Sequence, residues 1–235
     1  MPRGCHFKSA RLSRSRPECY LPGMSLFVIL LGGDLTVTPR LQGQIAGARV
    51  IAADSGMRHA AALGVTPELW LGDFDSASPD DMQSHSGVPR QVWPEDKDRT
   101  DGEIAIEAAL ARGADRLVLA GAFGGERTDH AFLHLAAAIS LGERGIPVLL
   151  TSGNEEGLPL AGNRQSPDWP DGTLFSILAF SDLSDLSVTG VRWPLANRDV
   201  PFGSSLVLSN SVQRRATVSL GKGRAMLMAR IAAPA

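Results

Sequence analysis

Four short polar motifs hold most of the residues in this 235-residue chain that could do chemistry, and each follows an apolar run. They are Ala53-Asp54-Ser55-Gly56, Gly72-Asp73-Phe74-Asp75-Ser76, Asp96-Lys97-Asp98-Arg99-Thr100-Asp101, and the stretch from Gly121 through Arg127 and Asp129 to His130. Clustered carboxylates with a Lys and an Arg nearby suit a divalent cation bound to a polyphosphate. Hard cations such as Mg²⁺ take oxygen ligands, commonly one or two carboxylates plus substrate phosphates. Such a cation offsets charge that develops as a phosphoryl group moves.

The elements around these motifs can bring them together. Apolar runs of strand length occur at 25–31, 49–53, 69–71, 91–93, 116–120 and 148–151. Helical stretches are expected at 57–63, 101–112 and 131–141, each ending at a glycine. Thr100 and Glu103 make a capping-box pattern for the second, and Phe132, Leu135 and Ile139 form one stripe of the third. Alternating strands and helices predict an α/β fold with a mainly parallel sheet and helices on both faces. In such a fold the four motifs all fall at the carboxyl ends of strands, in one ligand-binding crevice.

Beyond residue 152 the pattern changes. Residues 153–172 are rich in Gly, Pro, Asn and Asp and are expected to form a linker with loops. Strand-like segments follow at 174–180, 186–189, 205–209, 216–220 and 224–229, which predicts a small C-terminal all-β sandwich. The expected organisation is a disordered extension over 1–23, an α/β domain over 24–152, the linker, and a sandwich over 173–235. The extension carries Arg3, Lys8, Arg11, Arg14 and Arg16 without a hydrophobic period. It reads as an upstream extension, or as a transit peptide.

A net charge of −2 gives no reason to expect nucleic acid or a membrane surface as partner, and no apolar run approaches the length of a spanning helix. Both cysteines, Cys5 and Cys19, lie in the extension. A disulfide framework is therefore not expected, which fits a cytoplasmic setting.

Each motif also has a plainer reading. Asp54 could simply cap a helix, Gly72–Ser76 could be an acidic turn, and Thr100 and Asp101 suit a helix start. His59, His85 and His134 read as surface or helix-face residues. The glycine-rich turn 121–125 could turn its amides toward phosphate.

Taken in order, the motifs resemble those of the bacterial thiamine pyrophosphokinase family, whose pattern runs through an Ala-Asp turn, Gly-Asp-Phe-Asp-Ser, Asp-Lys/Gln-Asp-x-Thr-Asp and Gly-Gly-Arg-x-Asp-His. Gly190-Val191-Arg192-Trp193-Pro194-Leu195 and Leu208-Ser209-Asn210 are similar to its sandwich segments. Glu126 adds one residue between Gly125 and Arg127 relative to the commonest spacing. The resemblance implies pyrophosphoryl transfer from ATP to the thiamine hydroxyl, with Mg²⁺, giving AMP and thiamine diphosphate. It implies Asp73, Asp75 and Asp101 as metal ligands and Lys97 as a phosphate contact in the catalytic set. Asp54, Ser76, Asp98, Thr100 and Arg127 would serve ATP; Asp129, Ser209 and Asn210 would serve thiamine. The family also implies a homodimer with sites shared between subunits. Two rival readings are an Asp-dependent phosphohydrolase and a nucleotide-binding module without turnover.

Overall fold

The computed structural model describes residues 25–74, 79–94, 98–160 and 164–231. The basic extension, Asp75, Ser76, Asp96 and Lys97 lie outside the described residues, so the expectations placed on them rest on sequence.

The first strand shows why the sheet is covered on both faces. β1 (Leu26–Leu30) is apolar throughout and buried throughout, as a parallel strand between two helical layers must be. Its side chains alternate. Phe27 and Ile29 join a core with Ile104, Ala109 and Ile139, while Val28 and Leu30 join one with Leu41, Met57 and Leu63. The helices behind these contacts are α1 (Pro39–Ile45) and α2 (Ala60–Leu63) on one side, α4 (Asp101–Ala111) and α5 (Thr128–Glu143) on the other. A further helix, α3 (Pro79–Ser84), precedes β4.

Strands β2 (Arg49–Ala53), β3 (Leu69–Gly72), β4 (Arg90–Val92), β5 (Arg116–Ala120) and β6 (Val148–Thr151) agree with the apolar runs to within about a residue. They pair in parallel in the order β6-β5-β1-β2-β3-β4. The order reverses beside β1: the chain moves from β1 toward β2 on one side, and β5 returns on the other. The β1–β5 junction is therefore the point where the strand order reverses, and in such sheets ligands bind at the carboxyl ends of the strands beside it.

Several expectations are corrected. The helix expected over 57–63 is a 3₁₀ turn at Asp54–His59 followed by the single turn α2. Helices α1 and α3 were not anticipated, although Thr38 caps α1 by accepting from Leu41 N at 3.1 Å and Pro39 occupies its first turn. α5 is longer than the stripe suggested, and Phe132 lies exposed, stacked on Phe180 with ring centroids 5.8 Å apart. The α4 capping box is present: Glu103 N donates to Thr100 Oγ1 and Thr100 N to Glu103 Oε2.

The stretch expected as a linker contains β7 (Glu155–Pro159) and β8 (Arg164–Gln165). β7 pairs antiparallel with β6 on one side and with β13 (Ala225–Arg230) on the other. β9 (Leu174–Ala179) then pairs with β13. The sheet thus runs from the helical half into the C-terminal half without a break. β10 (Leu183–Val191), β11 (Leu195–Val200), β12 (Asn210–Ser219) and β8 pack across from it over a core that includes Trp169, Phe175, Leu186, Val188 and Val218. Residues 205–209, expected as a strand, form turns, and β11 was not foreseen.

Candidate active site

The loops after β1 and β5 meet backbone to backbone. Gly33 N donates to Gly121 O at 2.9 Å and Asp34 N to Phe123 O at 2.7 Å. A Cβ on Gly33 would run into both of those carbonyl oxygens, and one on Gly124 into the Asp34 carboxylate. Glycine is required here by close approach. Two of the turn's amides are spent inside the fold, because Gly121 N and Ala122 N both reach Thr151 O.

These loops, the turn after β2 and the start of α4 enclose a cavity of about 710 Å³. Asp54, Thr100, Asp101 and Arg127 line it, which brings together residues from three of the four motifs. Asp98, Asp129, Ser209 and Asn210 are not among its lining residues. Asp73 is not either, but it adjoins the wall: a Cβ on Gly72 would lie 3.3 Å from Asp54 Oδ1. The ends of β2 and β3 therefore set Asp54 against Gly72, the residue before Asp73.

With Ala53 at the cap position, Asp54 is not the cap of the 3₁₀ turn but its first residue. It sits at φ +43°, and its carbonyl accepts from Trp70 Nε1 at 2.9 Å. Two residues past Gly72, Phe74 takes φ +62° and sets its ring edge-on to Trp70 at 4.9 Å. Two non-glycine residues in the left-handed region at adjacent strand ends are costly, and such strain concentrates at functional sites. Trp70 anchors both.

Arg127 stands just before α5 and Asp129 in its first turn. They form a two-pronged pair, Nε to Oδ1 at 3.0 Å and Nη2 to Oδ2 at 2.7 Å. The Arg127 guanidinium holds the Asp129 carboxyl well below the usual carboxylate range. Both side chains are about two-thirds exposed, so the pair is open to exchange with a ligand. The extra residue, Glu126, also lines the cavity.

Three residues at or beside the cavity, Arg58, His59 and His134, have roles that the sequence alone did not suggest. His134 contacts Ala122 O through Nδ1 at 3.0 Å, and His59 contacts Gly33 O through Nε2 at 2.9 Å. Burial pushes both imidazoles below their ordinary pKa, so both are neutral props of the glycine loops: His134 does lie on a helix, α5, but neither is a free surface residue. Arg58 also reaches the Gly32 and Gly33 carbonyls. For Arg58 and His134 the available signal was their i to i+4 spacing from Asp54 and His130; His59 had none.

In the C-terminal half, Ser209 takes φ +59° and donates its N–H to Ser176 Oγ at 3.0 Å. The Asn210 amide clamps the backbone of Trp193, accepting from its N–H at 3.2 Å and donating to its carbonyl at 2.8 Å. Trp193 is left exposed with the Arg192 guanidinium 4.7 Å from its ring centroid.

Among the described residues no group of three or more His, Cys, Asp or Glu is arranged to hold a metal. The expected ligand set includes Asp75, which is not described. The donors that are described, Asp54, Asp73 and Asp101, are the oxygen ligands a hard cation takes.

Comparison with known proteins agrees with this geometry. Residues 46–150 match the family "Thiamin pyrophosphokinase, catalytic domain", and residues 164–224 match "Thiamin pyrophosphokinase, vitamin B1 binding domain". Thiamine pyrophosphokinase of Bacillus subtilis is 27% identical over 206 residues, covering 85% of this chain and 96% of the relative. Its crystal structure superposes with a TM-score of 0.78 at 23% identity, over 88% of this chain and 99% of that one. A family protein from Enterococcus faecalis gives a TM-score of 0.72 at 23% identity, over 89% and 100%. The enzyme from Candida albicans gives 0.68 at 14% identity, over 89% and 90%. With a catalytic-domain match ending in β6 and a vitamin-binding match running from β8 nearly to β13, this chain belongs to the thiamine pyrophosphokinase family.

Proposed function

We propose that this chain transfers the pyrophosphoryl group of ATP to the hydroxyl of thiamine, releasing AMP and thiamine diphosphate. The observation that carries the reading is the convergence of Asp54, Thr100, Asp101 and Arg127 on one cavity, within the span of the catalytic-domain match. The comparisons give no support to the phosphohydrolase or to a module without turnover.

In this reading Asp73, Asp75 and Asp101 hold Mg²⁺, which when bound offsets charge developing on the phosphates. Asp54 steadies that group from the neighbouring strand end. The α4 N-terminus contributes its partial positive charge, and Thr100 fixes where Asp101 points. Lys97, Ser76 and Asp98 serve the nucleotide, and Arg127 swings from Asp129 to phosphate. Asp129, so released, approaches thiamine. Asn210 acts through Trp193, whose exposed ring beside Arg192 offers an apolar wall to a flat cation. Ser209 flanks that wall.

Exposed Trp193, Phe202, Leu206 and Leu208 support assembly as a homodimer. Among the described residues no helix is long and apolar enough to cross a membrane; with the cysteines confined to the extension, a cytoplasmic setting is our reading. We further propose that residues 24–152 form the nucleotide unit and 173–235 the thiamine unit. Incubating pure protein with ATP, Mg²⁺ and thiamine tests the reaction. AMP and thiamine diphosphate in equal amounts are expected; ADP, or phosphate released without thiamine, would overturn it.

A further inference from the structure

We infer that Arg58 is a phosphate ligand for the nucleotide, an inference that rests on the kinase reading above. Arg58 lines the cavity from the turn after β2. Its Nη2 donates to Gly32 O at 2.5 Å and Gly33 O at 3.0 Å, so two carbonyls hold the guanidinium at the mouth of the glycine loops. Its Nε lies 3.5 Å from His59 Nε2, but that nitrogen is 2.9 Å from Gly33 O. One imidazole N–H cannot donate to the carbonyl and also accept from arginine, so the shorter contact wins and Nε is at most weakly engaged. Carbonyls orient the group without neutralising it. Among the described residues no carboxylate pairs with Arg58, whereas Arg127, the other guanidinium of the cavity, is already paired with Asp129. The wall also carries Asp34, Asp54, Asp101 and Glu126. A polyphosphate entering so acidic a cavity needs a cation that is fixed in place and still charged, and Arg58 meets both conditions. Its exposed edge retains donors for phosphate oxygen.

The test compares wild-type chain with Arg58→Gln and Arg58→Lys. ATP affinity is measured by calorimetry, and KM for ATP and for thiamine by AMP release. Arg58→Gln should weaken ATP binding at least tenfold, leave the thiamine KM within twofold, and flatten the salt dependence of ATP binding. Arg58→Lys should keep that salt dependence and recover part of the affinity. ATP affinity of Arg58→Gln within twofold of wild type would overturn the inference. So would parallel losses for ATP and thiamine in both variants, which would mark Arg58 as a loop prop. A wild-type chain that binds no ATP would instead overturn the kinase reading, and the inference with it.

Discussion

Glu156 offers the sharpest test of how the two halves are joined. It lies on β7 with 2% of its surface exposed. Oε1 accepts from Arg40 Nε at 2.5 Å and Gln44 Nε2 at 2.6 Å; Oε2 accepts from Arg40 Nη2 at 3.1 Å and Trp169 Nε1 at 2.8 Å. The donors come from α1 on one side and from the segment before β9 on the other. Glu156→Gln keeps the shape, but an amide accepts through only one of its two ends. Whichever way it turns, two of the four donors face an NH₂ group. A hydrogen bond to a charged group is worth about 1.5–3 kcal/mol, so two lost bonds cost roughly 3–6 kcal/mol. The Arg40 side chain is 30% exposed, so water recovers part of this and favours the lower end. At about 2–4 °C per kcal/mol for a chain of this size, the melting temperature should fall by roughly 10 °C. Thermal and urea unfolding followed by circular dichroism measure it. Trp169→Phe, which removes one donor and keeps the ring packed on Phe175, should lose about half as much. A loss below about 1 kcal/mol for Glu156→Gln would refute the claim that this carboxylate needs all four donors.

Asp73→Asn and Asp101→Asn should each lower kcat by about a hundredfold or more while leaving the melting temperature within a few degrees, because the shape survives and the charge does not; near-normal turnover in both would reduce the acidic motifs to surface turns. Mixing an Asp73→Asn chain with a chain altered at both Ser209 and Asn210 should restore partial activity if each site draws on two subunits, and no rescue despite proven subunit exchange would defeat that arrangement. Stability should fall as pH drops below the ordinary histidine value of 6.5. The folded state holds His59 and His134 neutral by burial, so the unfolded chain binds more protons there and gains on acidification. Replacing both with Gln should flatten the slope of urea midpoint against pH between 7 and 5.5.

Much of the fold could be read from local pattern. The β1, β2, β5 and β6 runs are continuous and apolar because both of their faces are buried, and such runs are bounded sharply. The capping box of α4 is likewise a local fact. β7 escaped notice because Gly157 and Pro159 read as loop, yet pairing with β6 and β13 outweighs their poor strand propensity. Asp54 looked like a cap by its neighbours; what defines it is the approach of Gly72 and Trp70 from the next strand, which no local pattern encodes. The same holds for Arg58, His59 and His134. Their partners are backbone carbonyls of loops 12 to 26 residues away, and carbonyls leave no trace in a sequence.

The position of β13 has a consequence for how the protein is made. It follows every other described strand in the chain, yet it sits between β7 and β9. Until it arrives, those two strands present bare hydrogen-bonding edges, and the pairs it closes with β7 join residues about 70 positions apart. Contacts so distant form slowly. A nascent chain therefore spends its synthesis with two unprotected edges, open to pairing with other chains. Loss of a few residues near Ala225–Arg230 would not trim a margin of the sheet; it would remove the strand that ties the helical half to the all-β half and leave the edges of β7 and β9 bare.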